Sequence, residues 1–149
     1  MNAPDMAARD LVTTYIERFN AGVAGADVPP AYLLFAPDCR FEVAGSVPTS
    51  GVYHGMEAVA RDCMSLLQAR LVSRAGNGWY LERFIGHGDR VVALLRARGS
   101  SREGRPYCGS YFVIFEVADG RIVHQLEILD SSLFMDCIYD MQLDAADPA

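Results

Sequence analysis

Lysine is missing from this chain. All thirteen basic residues are arginine, set against nineteen acids, for a formal net charge of −6 and a pI of about 4.9. That balance excludes the basic footprint that nucleic-acid binding needs. The arginine-only choice reads as compositional bias rather than as anion recognition. Long apolar runs are missing too. Stretches such as Val91–Leu95 and Tyr111–Phe115 fall far short of the roughly 20 residues of a membrane-spanning helix. The start, MNAPDMAARD, has no basic segment leading into an apolar one, so no secretory signal is expected and the compartment is read as cytoplasmic. Cys39, Cys63, Cys108 and Cys137 are scattered, with no CxxC pair, and are expected to be reduced and mostly buried thiols. His54, His87 and His124 have no metal-ligand spacing, so no metal is expected.

What remains is ordinary globular material: 51% hydrophobic and 21% charged residues in 149, enough for one domain with its own core. The ordered part is expected over about residues 6–143, with the DAADPA tail frayed. Ala8, Val12, Tyr15, Ile16 and Phe19 share a helical face from about Met6 to Asn20, with Asp5 as a cap and Gly22 as a stop. AYLLFAPDC reads as a short helix closed by Pro37, CRFEV as a strand, and AGSVPTSGVYHG as a loop. A second helix is expected from Met56 to Arg70. The period then changes to two, with strands at Leu71–Arg74, Trp79–Ile85, Arg90–Arg98, Tyr107–Val117 and Arg121–Leu129. Asp119-Gly120 is the clearest hairpin turn between them. A last helical segment follows Ser131. Helices first and a meander afterwards predict an α+β fold: N-terminal helices packed on a strongly curved, mostly antiparallel sheet, forming a cone with an interior pocket.

Three stretches carry a resemblance: TYIERFNAG in the first helix; LLFAPDCRFEVAGSVPTSGVYHGMEAV, with Gly51 and Gly55 before the second; and FEVADGRIVHQLEILDSSLF near the end. Together they resemble the nuclear-transport-factor-two-like superfamily, in its SnoaL-like and ketosteroid-isomerase-like branch. The resemblance implies a cystatin-like α+β barrel, a deep apolar pocket for a small apolar ligand, a homodimer through the outer sheet face, and no metal or organic cofactor. It also puts Tyr15 where those isomerases carry an oxyanion-binding tyrosine, and Glu42 where they carry the carboxylate base.

The residues themselves qualify that assignment. Strict alternation sets Arg40 and Glu42 on one face of their strand and Phe41 and Val43 on the other, so Glu42 points outward unless a bulge reverses it. The second, protonated acid of the isomerase pattern falls on Val113, which donates no hydrogen bond. Tyr111, Tyr53 and Tyr32 are the candidates to compensate, with Val113 and Phe115 lining the pocket beside them. On the last strand, Ile122, His124, Leu126 and Ile128 share a parity read as inward. Val123, Gln125, Glu127 and Leu129 are read as outward, with Phe112 and Ile114, where a dimer would pack. His124 and Asp130 are then the alternative acid–base groups, though Asp130 suits a helix cap equally well. The expected function is a cofactor-independent acid–base enzyme of isomerase, cyclase, dehydratase or hydrolase type acting on a small apolar carbonyl compound. The alternative is a ligand-binding or dimeric assembly protein of the same fold.

Overall fold

The computed structural model describes residues 3–141, with side chains from residue 7 onward. Helix α1 (Ala3–Val23) leads to a 3-10 turn (Ala31–Leu34), β1 (Phe35–Val43) and β2 (Gly51–His54). A helical stretch follows: α2 (Met56–Ala58), a π-helical turn (Val59–Met64) and α3 (Ser65–Gln68). The meander is β3 (Gly78–His87), β4 (Arg90–Ser100), β5 (Pro106–Ala118) and β6 (Arg121–Leu129), and α4 (Ser131–Tyr139) ends the described chain. The DAADPA tail lies outside the described residues.

The six strands form one curved sheet in the order β2-β1-β6-β5-β4-β3. Neighbours are antiparallel except β1 and β6, which run parallel. The fold is α+β as expected, but the sheet is open, with β2 and β3 as edges, rather than a closed barrel. Helix α1 buries Ala8, Val12, Tyr15 and Ile16 against the sheet, the face its periodicity predicts. Its boundaries differ from expectation. Asp5 lies inside the helix and Gly22 in its last turn. AYLLFAPDC is one 3-10 turn followed by strand, and Pro37 falls where the β1–β6 register shifts, a position that asks for no ladder N–H. Leu71–Arg74 is no strand; Leu71 forms only a bridge to Ser101.

Two local devices set the frame of the interior. The Asn20 side chain clasps β3: its Nδ2 donates to the Trp79 carbonyl at 2.6 Å, and the Trp79 N–H donates to its Oδ1 at 2.7 Å. Gly78 is required beneath this clasp, because its φ is +135° and a Cβ there would collide with the Asn20 amide. The other device is a β-bulge. Glu116 pairs with His124 and Val117 with Ile122, so Val123 is an extra residue on β6. Ile122 faces the core before the bulge. After it, the inward set becomes Gln125, Glu127 and Leu129, while His124, Leu126 and Ile128 turn outward. This reverses the expected parity of the strand for every residue beyond Ile122, because one extra residue exchanges the two faces.

Candidate functional site

Between the concave face of the sheet and the helices lies a cavity of about 860 Å³. Its wall is mostly apolar and aromatic: Phe19 and Trp79 pack at 5.3 Å between ring centroids, and Trp79 and Tyr111 at 5.8 Å. Val59, Cys63, Met64 and Leu67 close one side from the helical stretch. The wide π-helical turn there keeps both Val59 and Cys63 buried.

Two carboxyl groups border this cavity, the exposed Glu57 on the helical side and Glu127 on β6. Glu127 is the partly buried one of the two. Burial pushes its pKa from 4.5 up to about 8, and the hydrogen bond from Gln125 opposes the rise only in part. That bond runs from Gln125 Nε2 to Glu127 Oε1 at 2.8 Å, along one face of β6. Gln125 itself is fully buried and its Oε1 has no partner.

Three phenols of the cavity wall feel the charge of this carboxyl. Tyr15, on the buried face of α1, is held edge-on against Phe35 at 5.0 Å and Phe115 at 5.8 Å. Its hydroxyl lies beside the Gln125 amide, and its pKa is driven far above the phenol range, first by burial and then by the charge of Glu127. Tyr107 donates to the Tyr111 hydroxyl at 3.1 Å, which leaves the Tyr111 proton to be offered elsewhere. Burial holds Tyr111 well above its usual value and Tyr107 up to about 12. These phenols therefore remain protonated donors around a carboxyl that titrates near neutrality. Gly109 keeps the arrangement open, because a Cβ there would collide with the Tyr107 hydroxyl.

The residues singled out from sequence fall into separate groups. Tyr15, Tyr32 and Tyr111 line the cavity. Tyr53 stands behind that lining, its hydroxyl donating to the Thr49 carbonyl at 2.8 Å, and Val113 and Phe115 are fully buried core residues rather than lining ones. Glu42 is on the outer face, as strict alternation requires. It accepts from Arg40 at 2.9 Å and lies 2.5 Å from His124 Nε2. His124 also approaches Glu116 at 3.7 Å, so it belongs to this outer ionic row and not to the cavity. The Val123 bulge is the cause. Asp130 caps α4, its carboxylate accepting the Leu133 N–H at 3.1 Å. Of the cysteines, Cys39 and Cys63 are buried, Cys137 is partly buried, and Cys108 is exposed.

Sequence reasoning placed Glu127 and Gln125 outside because it assumed unbroken alternation. A signal was present: both parities of IVHQLEIL mix polar and apolar residues, which unbroken alternation with one buried face would not produce. Among the described residues, no group of three or more His, Cys, Asp or Glu is placed to hold a metal ion, and no helix is long and apolar enough to cross a membrane.

The sequence pattern of the SnoaL-like domain matches residues 12–125, most of the chain, and the chain belongs to that family. Among solved structures it is similar to a nuclear-transport-factor-two-like protein of unknown function from Burkholderia pseudomallei. The TM-score is 0.75 and the identity 21%, over 89% of this chain and 97% of that one. It is similar also to a protein from Jannaschia sp. CCS1 provisionally classed as a SnoaL-like polyketide cyclase, at TM-score 0.74 and 17% identity, over 93% and 95% of the two chains. A third, from Rhodopseudomonas palustris and provisionally classed as an isomerase, aligns at TM-score 0.69 and 12% identity, over 85% and 93%. At these identities the likeness is one of fold. No curated protein matches the sequence.

Proposed function

We propose that the protein is a cofactor-independent acid–base enzyme acting on a small apolar carbonyl compound, with Glu127 as the group that moves the proton. The observation that carries this reading is the Glu127 carboxyl, shifted by burial to about 8, in a mostly apolar cavity of about 860 Å³ that also holds protonated phenols in its wall. Two solved relatives classed provisionally as a cyclase and an isomerase lend it support. The substrate lies in the cavity with its carbonyl oxygen accepting from Tyr111, and from Tyr15 as charge grows on it. The Glu127 carboxylate takes a proton from the adjacent carbon and becomes the acid. The electron pair of that C–H bond moves into the enolate, whose oxygen the phenols hold. Glu127 then returns the proton to the same or a conjugated carbon, which closes the cycle. At pH 7 a group with this pKa is ionised in about one molecule in ten, so the rate should climb through the same value.

The test is deuterium exchange. A panel of apolar ketones, including a β,γ-unsaturated ketosteroid, is incubated with the protein in D2O, and loss of the C–H signal next to the carbonyl is followed by NMR. Exchange that is present in wild type and lost in Glu127→Gln establishes the role. Exchange at wild-type rate in that variant removes Glu127 from the mechanism. Absence of exchange across the panel favours the alternative, a pocket that binds without chemistry.

We propose also that the outer sheet face pairs with a second copy. Leu94, Phe112 and Ile128 lie in register across three strands, with Val92, Ile114 and Leu126 as the next row. Phe112 and Ile128 remain 48% and 43% exposed, a concentration of apolar surface that needs cover. The expected Val123 and Leu129 are not part of it: Val123 packs against the core and Leu129 lines the cavity. Sedimentation equilibrium should give a dimer in wild type and a monomer in Phe112→Glu. A wild-type monomer at micromolar concentration contradicts the pairing.

A further inference from the structure

The arginines divide by what they are paired with. Arg40, Arg61, Arg90, Arg96 and Arg105 each hold a carboxylate. Arg18, Arg74 and Arg98 are in no ion pair with a described carboxylate. Arg18 and Arg98 border the cavity, and Arg74 and Arg98 border an open groove of about 610 Å³. Asn77, Arg98, Gly99 and Tyr107 line both, so the groove continues the cavity outward. The charged residues lining the groove are Arg74 and Arg98, with no acid among them. In a chain of nineteen acids and thirteen arginines, that is a local reversal of the overall charge.

The two groove arginines are held in place. The Asn77 N–H donates to the Arg74 carbonyl at 3.2 Å, and Asn77 Nδ2 to the Val72 carbonyl at 2.8 Å, which fixes the turn that carries Arg74. Arg74 Nη2 then donates to Ser100 Oγ at 2.9 Å. Ser100 and Arg98 are two residues apart on β4 and share a face, so this bond brings the Arg74 guanidinium to the strand face that Arg98 occupies. Arg98 lies over the Tyr80 ring, 4.9 Å from its centroid. Stacking engages the flat face of a guanidinium, while its N–H donors lie in the plane and stay free for an anion.

We infer that Arg74 and Arg98 form an anion subsite at the end of the cavity, and that the ligand is an apolar compound carrying a carboxylate at the end remote from its carbonyl. The inference deepens the reading of the cavity as a substrate site: it narrows the substrate from a carbonyl compound to a keto acid. The guanidinium fork matches a carboxylate with two parallel hydrogen bonds. The two acids that border the cavity, Glu127 on β6 and Glu57 on the helical side, repel a carboxylate from their own ends. Charge therefore sets the direction in which the ligand lies, with its anionic end in the groove and its apolar body inside.

The experiment is displacement of the neutral dye N-phenyl-1-naphthylamine from the intact protein by decanoate and by 1-decanol, the same chain with and without a charge. Burial of apolar surface alone favours the alcohol. The subsite predicts the opposite order, with decanoate roughly five- to tenfold tighter at low salt, the scale of two exposed ion pairs, and the preference shrinking in high salt. In the double variant Arg74→Gln/Arg98→Gln the preference should disappear, and Arg74→Gln alone should reduce it, a change in an exposed turn that serves where the double variant does not fold. Arg83→Gln removes the same charge from a residue that borders neither space, and should keep the preference. Decanol binding as tightly as decanoate overturns the inference, as does displacement by neither. A preference that survives the loss of Arg74 and Arg98, or that Arg83→Gln abolishes equally, overturns it too. A decanoate preference without deuterium exchange in any ketone keeps the subsite and removes the catalytic reading. Exchange of neutral ketones without that preference does the reverse, so the two fail separately.

Discussion

The two faces of the β1–β6 pair hold the same residue type in opposite conditions. Glu42 on β1 stands opposite Leu126, and the next residue pair in register joins Val43 to Glu127. The carboxylate of Glu42 looks outward to His124 and Arg40, and its pKa is lowered, chiefly by the His124 hydrogen bond. That of Glu127 looks inward to aromatic rings and phenols, and its pKa is raised, chiefly by burial. One is a paired surface charge and the other a buried carboxyl that holds its proton to higher pH, although both are glutamates on adjacent strands. The difference lies in what each faces: water and cations on one side, a mostly apolar cavity wall on the other. A motif that points to a carboxylate by its place in the sequence cannot distinguish them. The sheet's own geometry does.

The sharpest way to break this comparison is to remove the inner carboxyl. Glu127→Gln should lower exchange activity by about 100-fold to 10,000-fold, the range for losing a general base. The same change should stabilise the protein at alkaline pH. Between about 4.5 and 8 the folded state holds a proton that the unfolded state has released, so stability falls as pH rises through that window. Each unit is worth about 1.4 kcal/mol, and the whole window on the order of 4–5 kcal/mol. Denaturant melts of wild type should lose stability from pH 5 to 8, while Glu127→Gln stays flat. Parallel curves would mean that Glu127 titrates normally and that the cavity is wetter than its lining suggests.

Next in size are the phenols. Tyr111→Phe removes the donor that the Tyr107 hydroxyl supports and should cost roughly 100-fold in turnover, as for loss of one oxyanion donor. Substrate affinity should change much less, because the bond strengthens only as charge develops. A loss confined to affinity would make Tyr111 a wall residue.

How much of this contrast the sequence could reveal depends on whether a feature is local. The α1 face was legible because Ala8, Val12, Tyr15 and Ile16 repeat at helical spacing and are all buried. The Asp119-Gly120 turn was legible because both residues adopt the positive φ (51° and 71°) that Asp-Gly favours. Strand β6 was assigned at its true limits, yet its faces were exchanged. A bulge is decided by pairing with β5 and β1, and Val123 in isolation looks like any strand valine. Strand β2 was missed for a related reason. It has four residues in a Gly- and Ser-rich stretch, and only β1 pairs with it. Tyr15 could be placed because a helix face is a property of one segment. Glu127 could not, because its environment is assembled from the bulge of β6, the helices and β5.

The smallest expected effect tests the outer half of the comparison. Glu42→Gln keeps the shape of the side chain and removes the charge that His124 and Arg40 face. Its pKa is lowered in the fold, so its contribution to stability is complete above about 4.5, its unfolded value, and disappears as pH falls through the lower folded one. This is the reverse of the Glu127 dependence. The side chains of Glu42 and His124 keep 19% and 22% exposure, and Arg40 keeps 54%. Water and salt therefore screen the group, and the loss at pH 7 should be no more than about 1 kcal/mol and should shrink in high salt. Exchange activity should stay within about twofold of wild type, since the group touches nothing in the cavity. A large loss of turnover in Glu42→Gln with stability intact would mean that the outer row feeds the inner carboxyl through the shared β1–β6 ladder, and the two faces would then act as one site.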